Sequence, residues 1–208
     1  MSPAYGYSSQ CLVGLALVLS VLLQGCQSLG SRQGDAQVTV PASAEQFTHW
    51  DLDGKFGLKL DGKGQSANFT WRNRGSDYNI HFSGPLGQGA ASLSRKNKQV
   101  TLNADGQQWR AANAEQLLAE RLDWTIPVSE MRYWVRGIAS PDSVASRIEY
   151  NPDGTVALIE QRGWLISYPR YQELEGLRLP AKIVANRDAL KLTIILKRWL
   201  AAQQKTND

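Results

Sequence analysis

The sequence predicts a mainly β protein with a small α component: a single curved antiparallel sheet forming an incomplete, half-open β-barrel, with short helices as a lid or plug over an apolar cavity. Three observations predict it. From about Phe47 onward, apolar and polar residues alternate in short runs, the period of strands with one dry face and one wet face. Gly, Asn and Asp punctuate the joins, as in Asp61-Gly62, Arg74-Gly75, Asp105-Gly106 and Asn151-Pro-Asp-Gly154, where tight turns need them. Between two sets of such runs the period changes to that of two short helices. A twisted sheet of about ten strands must curl, and two short helices cannot cover all of its apolar face. A cavity lined by side chains is one outcome; a fully packed core fits the same pattern.

The N-terminal segment has a different character. Leu12 to Leu23 is apolar apart from Gly14 and Ser20. As a helix it would span about 18 Å, too short for a hydrocarbon core of roughly 30 Å. It reads as the apolar region of a signal peptide, although residues 1–11 carry no Lys or Arg. Leu23-Gln24-Gly25-Cys26 follows and resembles the lipobox of bacterial lipoproteins. That resemblance implies cleavage before Cys26, a diacylglycerol on its thiol and an acylated new amino terminus. Such acyl chains far exceed the marginal anchoring of one chain. Gln27 and Ser28 lack the Asp associated with inner-membrane retention, so the resemblance favours the outer membrane, with the domain facing the periplasm. Cys11 falls in the removed segment, which leaves no disulfide within the mature chain. Residues 1–25 thus read as a lipoprotein signal peptide and 26–45 as the lipidated N-terminus with a Gln-, Ser-, Gly- and Pro-containing tether. Residues 46–208 read as one domain.

Within that domain the first strands are marked by Phe56, Leu58 and Leu60, then Ala67, Phe69 and Trp71, then Tyr78, Ile80 and Phe82. Ala91 with Leu93 and Val100 with Leu102 continue the alternation. Asn113-Ala-Glu-Gln116 has the form of a capping box, and Leu117, Leu118, Arg121 and Leu122 follow at helical spacing. After Pro127, Ser129 is placed to cap a second helix with Met131, Trp134, Val135 and Ile138 on one face, and Gly137 to end it. Strands resume at Ser146–Tyr150, Thr155–Gln161, Gly163–Pro169, Ala181–Asn186 and Leu190–Trp199.

Chemistry is sparse. The 23 Lys+Arg against 19 Asp+Glu leave +4, too diffuse to argue for nucleic acid. Two His and two Cys do not make a metal cage; His49 and His81 read as surface residues. No nucleophile elbow, His-Glu-x-x-His or Walker loop occurs, and Gly87-Gln88-Gly89 lacks the setting of a dinucleotide site. The reading is not an enzyme: a monomer with no metal and no cofactor other than the covalent lipid on Cys26. Seven Trp serve either as core (Trp71, Trp109 and Trp164 in strands, Trp124 and Trp134 on the helices) or as walls of an acyl-chain site. The residues assigned to such a cavity are Phe56, Leu58, Phe69, Trp71, Ile80, Phe82, Leu93, Trp109, Leu117, Trp134, Ile148 and Ile166. In Pro85-Leu86-Gly87, Leu86 falls at the tip of a type I turn, either folded back on the sheet or projecting. Lys182, Arg187, Lys191, Lys197 and Arg198 crowd the last strands, as a solvated face or as charges that steer an acidic partner.

The ordered series Phe69-x-Trp71, Pro85-Leu-Gly87, Ile126-Pro-Val, Tyr133-Trp-Val-x-Gly137, Gly163-Trp, Leu179-Pro-Ala and Lys197-Arg-Trp199 resembles the LolB family of outer-membrane receptors for lipoproteins. The resemblance covers roughly residues 46–200. It implies a half-open barrel that takes acylated lipoproteins from a LolA-like periplasmic carrier, binds their acyl chains and inserts them into outer-membrane lipid. In that family the projecting Leu of the hairpin serves the insertion step, and Leu86 matches it. A structural or assembly lipoprotein that binds protein partners without a lipid cavity is the alternative.

Overall fold

The computed structural model describes residues 43–84 and 89–202. Cys26 and the Pro85-Leu86-Gly87 turn lie outside the described residues.

The strands are β1 (His49–Leu60), β2 (Lys63–Arg74), β3 (Asp77–Ser83), β4 (Ala91–Lys96), β5 (Gln99–Ala104) and β6 (Gln107–Ala111), followed by helices α1 (Ala114–Leu122) and α2 (Val128–Trp134). Then come β7 (Arg147–Tyr150), β8 (Val156–Gln161), β9 (Trp164–Leu174), β10 (Leu177–Arg187) and β11 (Leu190–Ala201). All eleven form one sheet in the order β6-β5-β4-β3-β2-β1-β11-β10-β9-β8-β7. Each half is a meander, and the last strand pairs antiparallel with the first, Phe56 opposite Ile194. The end strands β6 and β7 do not pair with each other, so the curved sheet stays open. Because neighbours are antiparallel, the turns after β1, β5, β8 and β10 share one end of the sheet with the connection from β3 to β4.

Alternation drives the inner residues together. Trp50, Leu52, Phe56 and Leu58 of β1 are all buried, while Lys55 before Phe56 and Lys59 after Leu58 face water. Trp50 packs edge-on against Trp71 and Trp199, at 5.3 and 5.2 Å between ring centroids, an arrangement favoured by the ring quadrupoles. Gly54 interrupts the inward series at a bulge opposite β11. A Cβ there would stand 2.5 Å from Phe69 Cζ and 2.6 Å from the Ile195 carbonyl oxygen, so the missing side chain is what lets Phe69 lie across β1.

The first helix starts as its sequence predicts: Asn113 Oδ1 accepts from the Gln116 amide at 3.1 Å. Gln116 does not return the bond but donates to Glu120 Oε1 one turn on. The second helix differs from expectation. Pro127 stands at its N-cap, and Ser129 lies inside it, its amide donating to the Glu115 carboxylate of α1 at 2.8 Å. An acid from another helix thus does the work expected of a local cap. Gly137, with φ +80°, ends the turn that follows, as the Ile138 amide reaches back to the Tyr133 carbonyl. Ile138 therefore lies beyond the helix.

Candidate functional site

The helices and the segment joining them lie over the inner face of the sheet. Phe56, Phe69, Trp71, Ile80 and Phe82 from β1–β3, Leu192 and Ile194 from β11, and Ile126, Val128 and Met131 from the helical insert enclose a wholly apolar void of about 20 Å³. That is little more than the roughly 10–15 Å³ needed to hold a single water. Trp124, from the α1–α2 connection, packs against two of its lining residues. Its ring meets Phe56 at 5.2 Å and Phe82 at 5.1 Å, both edge-on, and its Nε1 donates to Gln65 Oε1 at 2.6 Å. The connection leaves α1 through Asp123 in the left-handed region (φ 54°) and enters α2 through Pro127. An indole with one polar anchor thus packs on two aromatic residues of the apolar wall.

Five of the twelve residues assigned to a cavity from the sequence meet at this void: Phe56, Phe69, Trp71, Ile80 and Phe82. Leu58, Leu93, Leu117, Trp134 and Ile166 are buried in the continuous core without bordering it. Trp109 is half-buried on β6, with the Arg121 guanidinium 5.2 Å above its ring. Ile148 sits elsewhere, 39 % exposed on the edge strand β7, where a four-residue strand with a neighbour on one side only buries neither face. Ile126, Val128, Met131, Leu192 and Ile194 complete the void but were not assigned to it from sequence. Leu192 and Ile194 point inward by the alternation of the Leu190–Trp199 strand; that this strand lies beside β1 does not follow from its own residues.

A second hollow, of about 550 Å³, opens between β7–β10 and the segment after α2. Its wall mixes Ile148, Val156, Tyr171 and Leu177 with Arg136, Asp153 and Arg178, the last two ion-paired at 2.6 Å. Arg136 is buried and fixes the entry of the chain into the domain. Its Nη1 donates to the carbonyls of Ala44, Glu45 and Phe47, and burial pushes its pKa down to about 10. Beneath, Gln161 ties α2 and the following loop to β8. It accepts from Trp134 Nε1 and the Ser140 amide and donates to the carbonyls of Ser140 and Ser143. Volume alone would favour this hollow for a large ligand. Its charged wall makes it the poorer site for a hydrocarbon chain, whose burial gains only from apolar surface.

No group of three or more His, Cys, Asp or Glu that could hold a metal occurs among the described residues. Both histidines stand apart, His81 exposed on the outside of β3 and His49 half-buried at the start of β1.

The family model described as outer membrane lipoprotein LolB matches residues 48–199, the whole sheet but for its margins. The chain belongs to the LolB family. An outer-membrane lipoprotein LolB of Pseudomonas aeruginosa is 38 % identical over 197 residues, covering 91 % of this chain and 96 % of that one. A Pseudomonas fluorescens relative of the same description is 37 % identical over 187 residues, covering 86 % and 91 %. Among solved structures, a DUF1329 family protein from Desulfovibrio piger matches with a TM-score of 0.52 at 9 % identity, over 76 % of this chain and 87 % of that one; it shares the fold. LolB membership makes this chain a lipid-anchored outer-membrane lipoprotein with a role in lipoprotein localisation. The motifs Tyr133-Trp-Val-x-Gly137 and Gly163-Trp carry the α2 terminus and the start of β9.

Proposed function

We propose that this protein accepts acylated lipoproteins from a LolA-like periplasmic carrier, holds their acyl chains against the inner face of the sheet, and delivers them into the outer membrane. The observation that carries the reading is the wholly apolar void between the sheet and the helical insert, whose wall has no polar side chain at its surface. At about 20 Å³ the space is far below the roughly 300–1,000 Å³ of ligand pockets. Binding therefore requires the α1–α2 connection to lift, exposing apolar surface that the incoming chain covers again. Such an exchange of like for like needs no nucleotide; its direction follows from relative affinity, tenfold for each ~1.4 kcal/mol. Cys26 supplies the anchor, and Leu86 acts at the insertion step.

The small void also suits the competing reading, a lipoprotein with a filled core that binds proteins only. A photoreactive diazirine side chain in place of Ile126, in the full chain in cells, separates the two. Acyl-chain binding predicts crosslinks to lipoproteins from position 126 and none from the same group in place of His81. Crosslinks absent from both positions would favour the filled core. Mass spectrometry of the membrane-purified protein is expected to find Cys26 acylated; an unmodified thiol would overturn the anchor assignment.

A further inference from the structure

The outer face of the sheet carries a charge arrangement that the fold does not need. Lys59 of β1 lies directly opposite Lys191 of β11, and Lys182 of β10 directly opposite Arg170 of β9. Lys55 and Lys182 flank Ile195 from its two sides. Like charges placed directly across a ladder destabilise it, and here two such pairs share one face of four adjacent strands. The nearby carboxylates do not offset them. Asp51 pairs with Arg74 and Asp53 with Arg198, while Asp61 and Asp188, in the turns at the strand ends, form no ion pair among the described residues. Lys55, Lys59, Lys191 and Arg170 are exposed and Lys182 half-buried, all on strands whose alternate residues are buried.

We propose that this face is a docking surface for the anionic phospholipid headgroups of the membrane to which the chain is anchored. The lipid anchor and its short tether hold the domain near the headgroups, so its basic side chains repeatedly come within the Debye length over which they feel an anionic surface. The five cations are spread over the outer face of four adjacent strands, as an extended lipid surface requires, rather than gathered in a pocket that would hold one ligand. Lys59 and Lys191 lie at the end of the sheet that also carries the β3–β4 connection. Contact through that pair would bring this end of the sheet to the bilayer. The inference stands apart from acyl-chain binding, which uses the opposite face.

The test uses the full lipidated chain in phosphatidylcholine vesicles with or without phosphatidylglycerol, labelled with a membrane-impermeant amine reagent. Labelling of Lys55, Lys59, Lys182 and Lys191 is expected to fall several-fold when phosphatidylglycerol is present and to recover in high salt. Lys96 and Lys98, in the β4–β5 hairpin at the other end of the sheet, should label equally in both. In Lys191→Glu the protection of Lys55 and Lys59 should weaken while the melting temperature rises, since the like-charge pair is relieved. Equal labelling in both vesicles would overturn the proposal, as would protection extending equally to Lys96 and Lys98. Protection that appears only when a soluble carrier protein is added would assign the face to a protein partner instead. Crosslinking from position 126 in cells is expected to be unchanged by Lys191→Glu, so the two readings fail separately.

Discussion

Single residues set the strain and the slack in this sheet. Tyr168 is buried, its hydroxyl has no hydrogen-bond partner among the described residues, and burial together with neighbouring Tyr171 holds its pKa well above the ordinary tyrosine value. A buried hydroxyl without a partner costs about 1–3 kcal/mol, so Tyr168→Phe is expected to stabilise the protein by about 1 kcal/mol in thermal unfolding. The pH dependence has a definite sign. Below the unfolded-chain value of 10.0 both states keep the phenol proton; as pH rises above it, the unfolded chain releases the proton and the fold does not. The wild type therefore loses stability above that pH by an increment the Phe variant lacks, and the gap between their melting temperatures should widen there. At Gly54 the tolerance runs the other way. The clash of any Cβ with Phe69 and the Ile195 carbonyl predicts that Gly54→Ala costs about 1–3 kcal/mol through overpacking, read as a lower denaturation midpoint.

At the scale of elements, what was legible was whatever is local. The two helices, the turns and the inward-facing residues of nearly every strand follow from period and punctuation, because each depends on residues within a few positions. The start of α2 was misplaced for the complementary reason: its cap comes from Glu115, fourteen residues before Ser129, and no local pattern reports that. The cover over the void was hidden likewise. Trp124 was legible as an aromatic beside a helix, but its seat depends on Gln65, Phe56 and Phe82 from distant strands. Removing it tests the element as a lid. Trp124→Ala should destabilise by about 1–3 kcal/mol, less than a fully buried Trp because the ring is half-exposed. It should also speed amide exchange at Ile126 and Val128 more than at the α1 residues Leu117 and Leu118. Uniformly faster exchange across both helices would show that Trp124 holds the core together rather than the cover in place.

For the whole molecule, the decisive contact is the pairing of the first strand with the last. It joins two meanders into one sheet and brings Leu192 and Ile194 to the void. It also puts Lys59 opposite Lys191, and no alternation pattern contains it. With that seam in place, the end of the sheet bearing the β3–β4 connection is also the end nearest the basic outer face, and the insertion role proposed for Leu86 can be tested there. A Leu side chain gains about 1.5–3 kcal/mol on leaving water for an apolar phase, energy available to a turn residue that meets a bilayer or a passing acyl chain. Leu86→Glu removes that gain and adds a charge that costs free energy in hydrocarbon. The fold should change by no more than about 0.5 kcal/mol, as for a surface substitution. Acceptance of lipoproteins from the carrier should persist, because the void is lined by other residues. Incorporation of those lipoproteins into outer-membrane vesicles should fail. Thermal unfolding and vesicle incorporation measured on one preparation decide the matter: a large loss of stability would make Leu86 a core residue, and normal incorporation would leave it without a part in insertion.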